Sequence, residues 1–110
     1  MKIAALVDDL FFSSKISEVA KQTGASVVFC RSAGSVPLDA DRICVDLNAT
    51  SFDALETAKW LVLNHRAPIT AYLSHVQTEL SRQAQAAGVQ EVLSRSVFVQ
   101  RLPTLLAPDV

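Results

Sequence analysis

Glycine and proline are scarce, three and four in 110 residues. That excludes collagen-like and low-complexity chains. Cysteine is scarcer still. Cys30 and Cys44 sit in apolar surroundings with no Cys or His at ligand spacing. Neither a disulfide framework nor a zinc site is indicated, and buried free thiols are expected. His65 and His75 make no recognisable metal pattern either. Charge of one sign is also lacking: ten Lys and Arg against eleven Asp and Glu leave a net charge of −1. A protein built to grip nucleic acid needs a basic face, so no nucleic-acid partner is expected. Long apolar runs are absent. The N-terminal run Ile3–Val7 stops at Asp8-Asp9, too soon for a signal-peptide core or a bilayer span. The run reads as a buried strand, and the expected location is the cytoplasm, with no membrane partner.

Half of the residues are hydrophobic, enough for one core, and a single domain over 1–110 is expected. Short apolar runs alternate with longer amphipathic ones. The short runs are Lys2–Val7, Ser26–Cys30, Arg42–Asp46, Ile69–Leu73 and Glu91–Ser94. Between them, Phe12, Ile16, Val19 and Ala20 recur at helical spacing, and Gly24 ends that helix. Thr50 or Ser51 is placed to cap a second amphipathic segment carrying Ala54, Leu55, Ala58, Leu61 and Val62, with Asp53 in its first turn. Trp60 lies opposite that stripe and is expected at the surface, where it is a candidate partner contact. Leu80, Ala84 and Ala87 mark a further helix stopping at Gly88. Phe98, Leu102, Leu105 and Leu106 mark a last one, expected to be short or kinked at Pro103.

Strands alternating with helices imply a parallel sheet with right-handed crossovers. Runs apolar at nearly every position imply strands buried on both faces. The fold expected is therefore α/β, a flavodoxin-like three-layer sandwich with a five-stranded parallel sheet in the order 2-1-3-4-5. Only fifteen residues separate Cys30 from Asp46, and they include Gly34 and Pro37. The helix that would cross there is expected to be short or missing. The face it would cover then needs another cover, or stays open to a partner.

Ligands in this architecture bind at the carboxyl ends of the strands, near the reversal in strand order. The first run ends in Asp8-Asp9 and the third in Asp46. Like charges about 4 Å apart repel by roughly 4 kcal/mol at an effective dielectric near 20. Three such carboxylates call for a cation or a raised pKa, and hard oxygens with room for water suit Mg2+. The fourth run ends at Ser74, a hydroxyl, and the fifth at Ser94-Arg95, a cation.

This ordered set resembles the receiver domain of response regulators, the CheY-like family, over nearly the whole chain. The resemblance implies that Asp8 and Asp9 bind Mg2+ together with Asp46, and that Asp46 accepts a phosphoryl group. Ser74 and Arg95 fall on the positions that hold it. It also implies a histidine kinase or phosphotransfer protein as donor and output through a downstream protein partner, with a homodimer as one form. The chain departs from the family in three places: Arg95 stands for a lysine, Ser96 for the proline after it, and Val92 for an aromatic in the fifth strand. Those departures support an alternative, a pseudo-receiver acting as a phosphorylation-independent interaction or dimerisation module. An enzyme or cofactor binder is not expected. The turn Asp8-Asp9-Leu10-Phe11-Phe12 would repel a flavin phosphate, no glycine-rich dinucleotide fingerprint exists, and a phosphatase using Asp8 as nucleophile would show an Asp-x-Asp spacing there, where the acids are adjacent.

Overall fold

The computed structural model describes residues 1–107. Pro108, Asp109 and Val110, the end of the expected 1–110 domain, lie outside the described residues. Five strands are present: β1 (Lys2–Leu6), β2 (Ser26–Phe29), β3 (Arg42–Asp46), β4 (Ile69–Leu73) and β5 (Glu91–Ser94). All neighbours pair in parallel, in the order β2-β1-β3-β4-β5. Each strand matches an apolar run of the sequence to within a residue.

Alternation along the strands feeds two cores. Ala4, Leu6, Ile43, Val45, Ile69, Ala71 and Leu73 face one layer. Ile3, Ala5, Val7, Cys44 and Tyr72 face the other. Helices α1 (Leu10–Thr23) and α4 (Arg95–Leu105) cover the second face through Phe12, Ile16, Phe98 and Leu102. Helices α2 (Ala54–Asn64) and α3 (Thr78–Ala86) cover the first through Ala54, Ala58, Leu61 and Ala84. Cys30 and Cys44 are buried free thiols, and burial pushes the Cys44 thiol up to about 12. It therefore behaves as a small apolar residue rather than a nucleophile.

No α-helix crosses from β2 to β3. The connection holds one short 3-10 turn at Ala33–Ser35. The first face is nevertheless partly covered, because the loop itself packs down, while Val28 of β2 stays exposed. Val36 is buried, with Ala33 and Ala40 against the same core. Lys2 fastens the far end of the loop: its amide donates to Asp41 Oδ2 at 2.6 Å, and its ammonium meets Asp39 at 2.8 Å.

Two local expectations are corrected. Asp53, not Thr50 or Ser51, caps α2, accepting from the Glu56 amide at 3.1 Å. The pair Asp53-x-x-Glu56 is the capping-box spacing, which outranks a lone hydroxyl. Helix α4 runs through Pro103 for eleven residues. Proline there forfeits one hydrogen bond within the last turn, where the helix is about to end. Trp60 is exposed as expected. No helix among the described residues is long and apolar enough to cross a membrane.

Candidate functional site

Strands β1 and β3 are neighbours, but the chain leaves them toward opposite layers, and the crevice between their ends collects the acids. Asp46 is the last residue of β3 and is only 3% exposed. Its Oδ1 accepts from the Asn48 amide at 2.8 Å. Among the described residues no donor reaches its other oxygen. Burial raises its pKa. The charges of Asp8 and Asp9 add to that, while the Asn48 amide and the Arg95 guanidinium oppose it.

Asp8 and Asp9 are held differently. Asp9 is the N-cap of α1, its Oδ1 accepting from the Phe12 amide at 2.9 Å. Asp8 is exposed, and its Oδ2 accepts from the Thr50 and Ser51 amides, both at 2.9 Å. The Ser51 amide is the main reason its pKa is lowered. Asp8 thus latches the loop after β3 to the end of β1. A strand-end acid gripping a loop more than forty residues away leaves no local signal in the sequence.

Ser74 and Arg95 meet through Asn48, a residue whose own role the sequence did not announce. Asn48 Oδ1 accepts from the Ser74 amide at 2.9 Å and from Arg95 Nη2 at 3.3 Å. Its Nδ2 donates to Gln77 Oε1, which also receives the Ser74 amide at 3.2 Å. The ends of β3, β4 and β5 are therefore joined by one amide side chain beside Asp46. Arg95 is exposed at the first position of α4, with Ser94 as the cap. It makes no ion pair among the described residues and acts on Asp46 at longer range.

The structure thus gathers Asp8, Asp9, Asp46, Ser74 and Arg95 at one end of the sheet. The donor set, carboxylate oxygens of three acids, suits a hard divalent cation in kind. One oxygen of each acid is already bound to a backbone amide. No three His, Cys, Asp or Glu side chains among the described residues are grouped closely enough to hold a metal.

No family model matches the chain, and no curated protein matches it in sequence. Solved structures do match in shape. The receiver domain of the Francisella response regulator 1452 is 16% identical with a TM-score of 0.77, covering 96% of this chain and 92% of that one. A Burkholderia pseudomallei response regulator, solved with a phosphorylated aspartic acid, calcium ion and citrate, is 18% identical at a TM-score of 0.78. That match covers 96% of this chain and 65% of the other. The Mn2+-bound form of response regulator Rcp1 is 15% identical at a TM-score of 0.78, covering 94% and 90%. At these identities the likeness is one of fold. The chain has the CheY-like fold of response-regulator receiver domains.

Proposed function

We propose that the chain is a signal receiver in which Asp46 accepts a phosphoryl group. The observation that carries this reading is Asp46 itself: a carboxylate almost wholly buried, short of donors, and crowded by two further acids. Burying a charge in that way is costly unless the site uses it. In the proposed reaction an Asp46 oxygen attacks the phosphorus of a phosphohistidine on a kinase or phosphotransfer protein. The new P–O bond forms as the P–N bond breaks, and the electron pair leaves with the imidazole. Burial strengthens the nucleophile, since the same environment that raises the carboxyl's proton affinity raises its reactivity. Arg95 would meet the added negative charge, and Ser74, fixed through Asn48, would offer its hydroxyl to a phosphoryl oxygen. To hold Mg2+, Asp8, Asp9 and Asp46 would have to draw closer together than they stand in this structure, each offering the oxygen its backbone amide leaves free. Bound there, the ion would neutralise charge on the transferring group. The activity is transfer onto the domain itself, so no turnover enzyme is implied. Output would pass through a protein partner in the cytoplasm.

The test is intact mass after incubation with Mg2+ and acetyl phosphate. One phosphoryl adduct is expected, lost in Asp46→Asn and lost without Mg2+. A second reading, the interaction module that never switches, has its own support: Asp8, Asp9 and Arg95 are already engaged within the fold. No adduct under any of these conditions would refute the first reading in favour of the second.

A further inference from the structure

The sheet ends on two strands, and their free edges differ. Strand β5 is half-buried along its length and opens on Glu91, which pairs with Arg101 of α4. Strand β2 has no such guard. Ser26, Val28 and Phe29 are exposed, and the strand holds neither a charge nor a proline. An apolar edge strand left open is a template for another strand, which is why proteins usually place a charge or a cover there. Here the crossover beside it is a loop. Val28 stays 39% exposed on one face of the sheet and Phe29 43% exposed on the other.

The backbone shows which groups are open. The Ser26 amide donates to the Met1 carbonyl and the Cys30 amide to the Ala5 carbonyl. Ser26, Val28 and Cys30 therefore turn their peptide groups toward β1, and by alternation Val27 and Phe29 turn theirs outward. Beside that edge lies a cleft of about 860 Å3, walled by Ser17 and Lys21 of α1 and by Phe29 and Arg31. The two ends of the edge differ in charge. Exposed Arg31 follows β2 at one end. At the other, Asp39 and Asp41 both bind Lys2, the register partner of Ser26.

We propose that β2 is a dimerisation edge: two copies of this chain join their sheets by pairing β2 with β2, antiparallel, about a twofold axis normal to the sheet. Charge chooses the direction. An antiparallel pair brings Arg31 of each copy toward the acidic end of the other, whereas a parallel pair sets like ends together. This axis keeps face with face, so a register centred on Val28 sets Val28 against Val28 of the second copy. It also sets Val27 against Phe29 of the second copy, and every facing pair is apolar. The outward groups of Val27 and Phe29 then exchange backbone hydrogen bonds across the axis. The product is one continuous sheet, closed at two copies because the contact is isologous. The inference does not depend on phosphorylation.

Sedimentation velocity of the full chain over a range of concentrations should show a monomer–dimer equilibrium. Val28→Lys sets two charges against each other at the axis and should raise the dimer dissociation constant more than about tenfold. Val28→Cys tests the register. Facing residues of a non-hydrogen-bonded antiparallel pair stand about 4.5 Å apart at Cα, within disulfide reach, so mild oxidation should give a covalent dimer. Leu63→Cys, more exposed but on α2, should not. A chain that stays monomeric at the highest concentration reached would overturn the proposal and leave the edge to an extended segment of another protein. A dimer indifferent to Val28→Lys, or one cross-linked as readily through Leu63→Cys as through Val28→Cys, would also overturn it and put the association on another surface.

Discussion

Replacing Asp46 by asparagine should stabilise the fold. The side chain is 3% exposed, and one amide hydrogen bond, from Asn48, is all that the protein gives its carboxylate. A carboxylate has about four acceptor positions, so most of its lost hydration is unreplaced, and two neighbouring acids add repulsion. Asparagine keeps the shape and the oxygen that Asn48 uses but drops the charge. An unsatisfied buried polar group costs about 1–3 kcal/mol. With Arg95 offsetting part of it, the expected gain is about 1–2 kcal/mol. For a domain of this size that is about 5–10 °C in Tm. The pH dependence gives a sharper check. The pKa of folded Asp46 is raised above the ordinary 3.8. Its neutral form therefore stabilises the fold fully below 3.8, and that contribution is lost as pH rises through the folded value. Asparagine is neutral throughout, so its advantage should be greatest at pH 7 and should vanish by about pH 3. Urea denaturation of both proteins across that range measures it. A variant less stable than its parent at pH 7, or an advantage that persists unchanged in acid, would refute the reasoning.

Other outcomes follow from single contacts. Asp9→Ala removes the N-cap of α1 and should lower stability by about 1 kcal/mol in thermal denaturation. Gly88 has φ +104°, and a Cβ added there would lie 2.8 Å from Val62 Cγ1. Gly88→Ala should therefore lose about 2–3 kcal/mol, read as a lower urea midpoint. Val36→Ala unpins the β2–β3 loop, with a loss of about 1–2 kcal/mol expected from the methyl groups removed. Cys30, whose Sγ contacts the Ser35 carbonyl in that loop, should then react faster with a thiol reagent. Cys44, at the centre of the sheet, should react only on global unfolding.

The strands were legible because a parallel sheet covered on both sides demands apolar residues at nearly every position. Arg42–Asp46 and Ile69–Leu73 read as strands from composition alone. The short β2–β3 crossover was legible by arithmetic, since glycine and proline left no room for helical turns. The gathering of the candidate residues was legible as far as it depends on strand ends: Asp46 ends β3, Asp8, Asp9, Ser74 and Arg95 follow strands, and topology does the rest. What stayed hidden depends on side-chain reach between distant segments. Nothing near Asp8 tells that it will grip Thr50 and Ser51, and nothing near Asn48 tells that it will join Ser74 to Arg95. Asp53 was misread for a different reason: two hydroxyl residues stood close by, and the glutamate three positions on was the deciding mark.

The β2–β3 connection, from Cys30 through Asp41, has a further consequence. Strands β2 and β3 flank β1, so this connection must pass over a strand; parallel connections need about a dozen residues or more, and twelve are what this chain has. A helix in that place could absorb a deletion by unwinding a turn, but this loop has only the single 3-10 turn at Ala33–Ser35 to give. Its length is tolerant in one direction only. Added residues lengthen a surface loop, and even a doubling costs only about 0.6 kcal/mol. Removed residues must be drawn from β2, from β3, or from the stretch that seats Val36 in the core. Sequence drift at this position, or an engineer seeking a place for an insert, therefore has room to grow the chain here and almost none to shorten it.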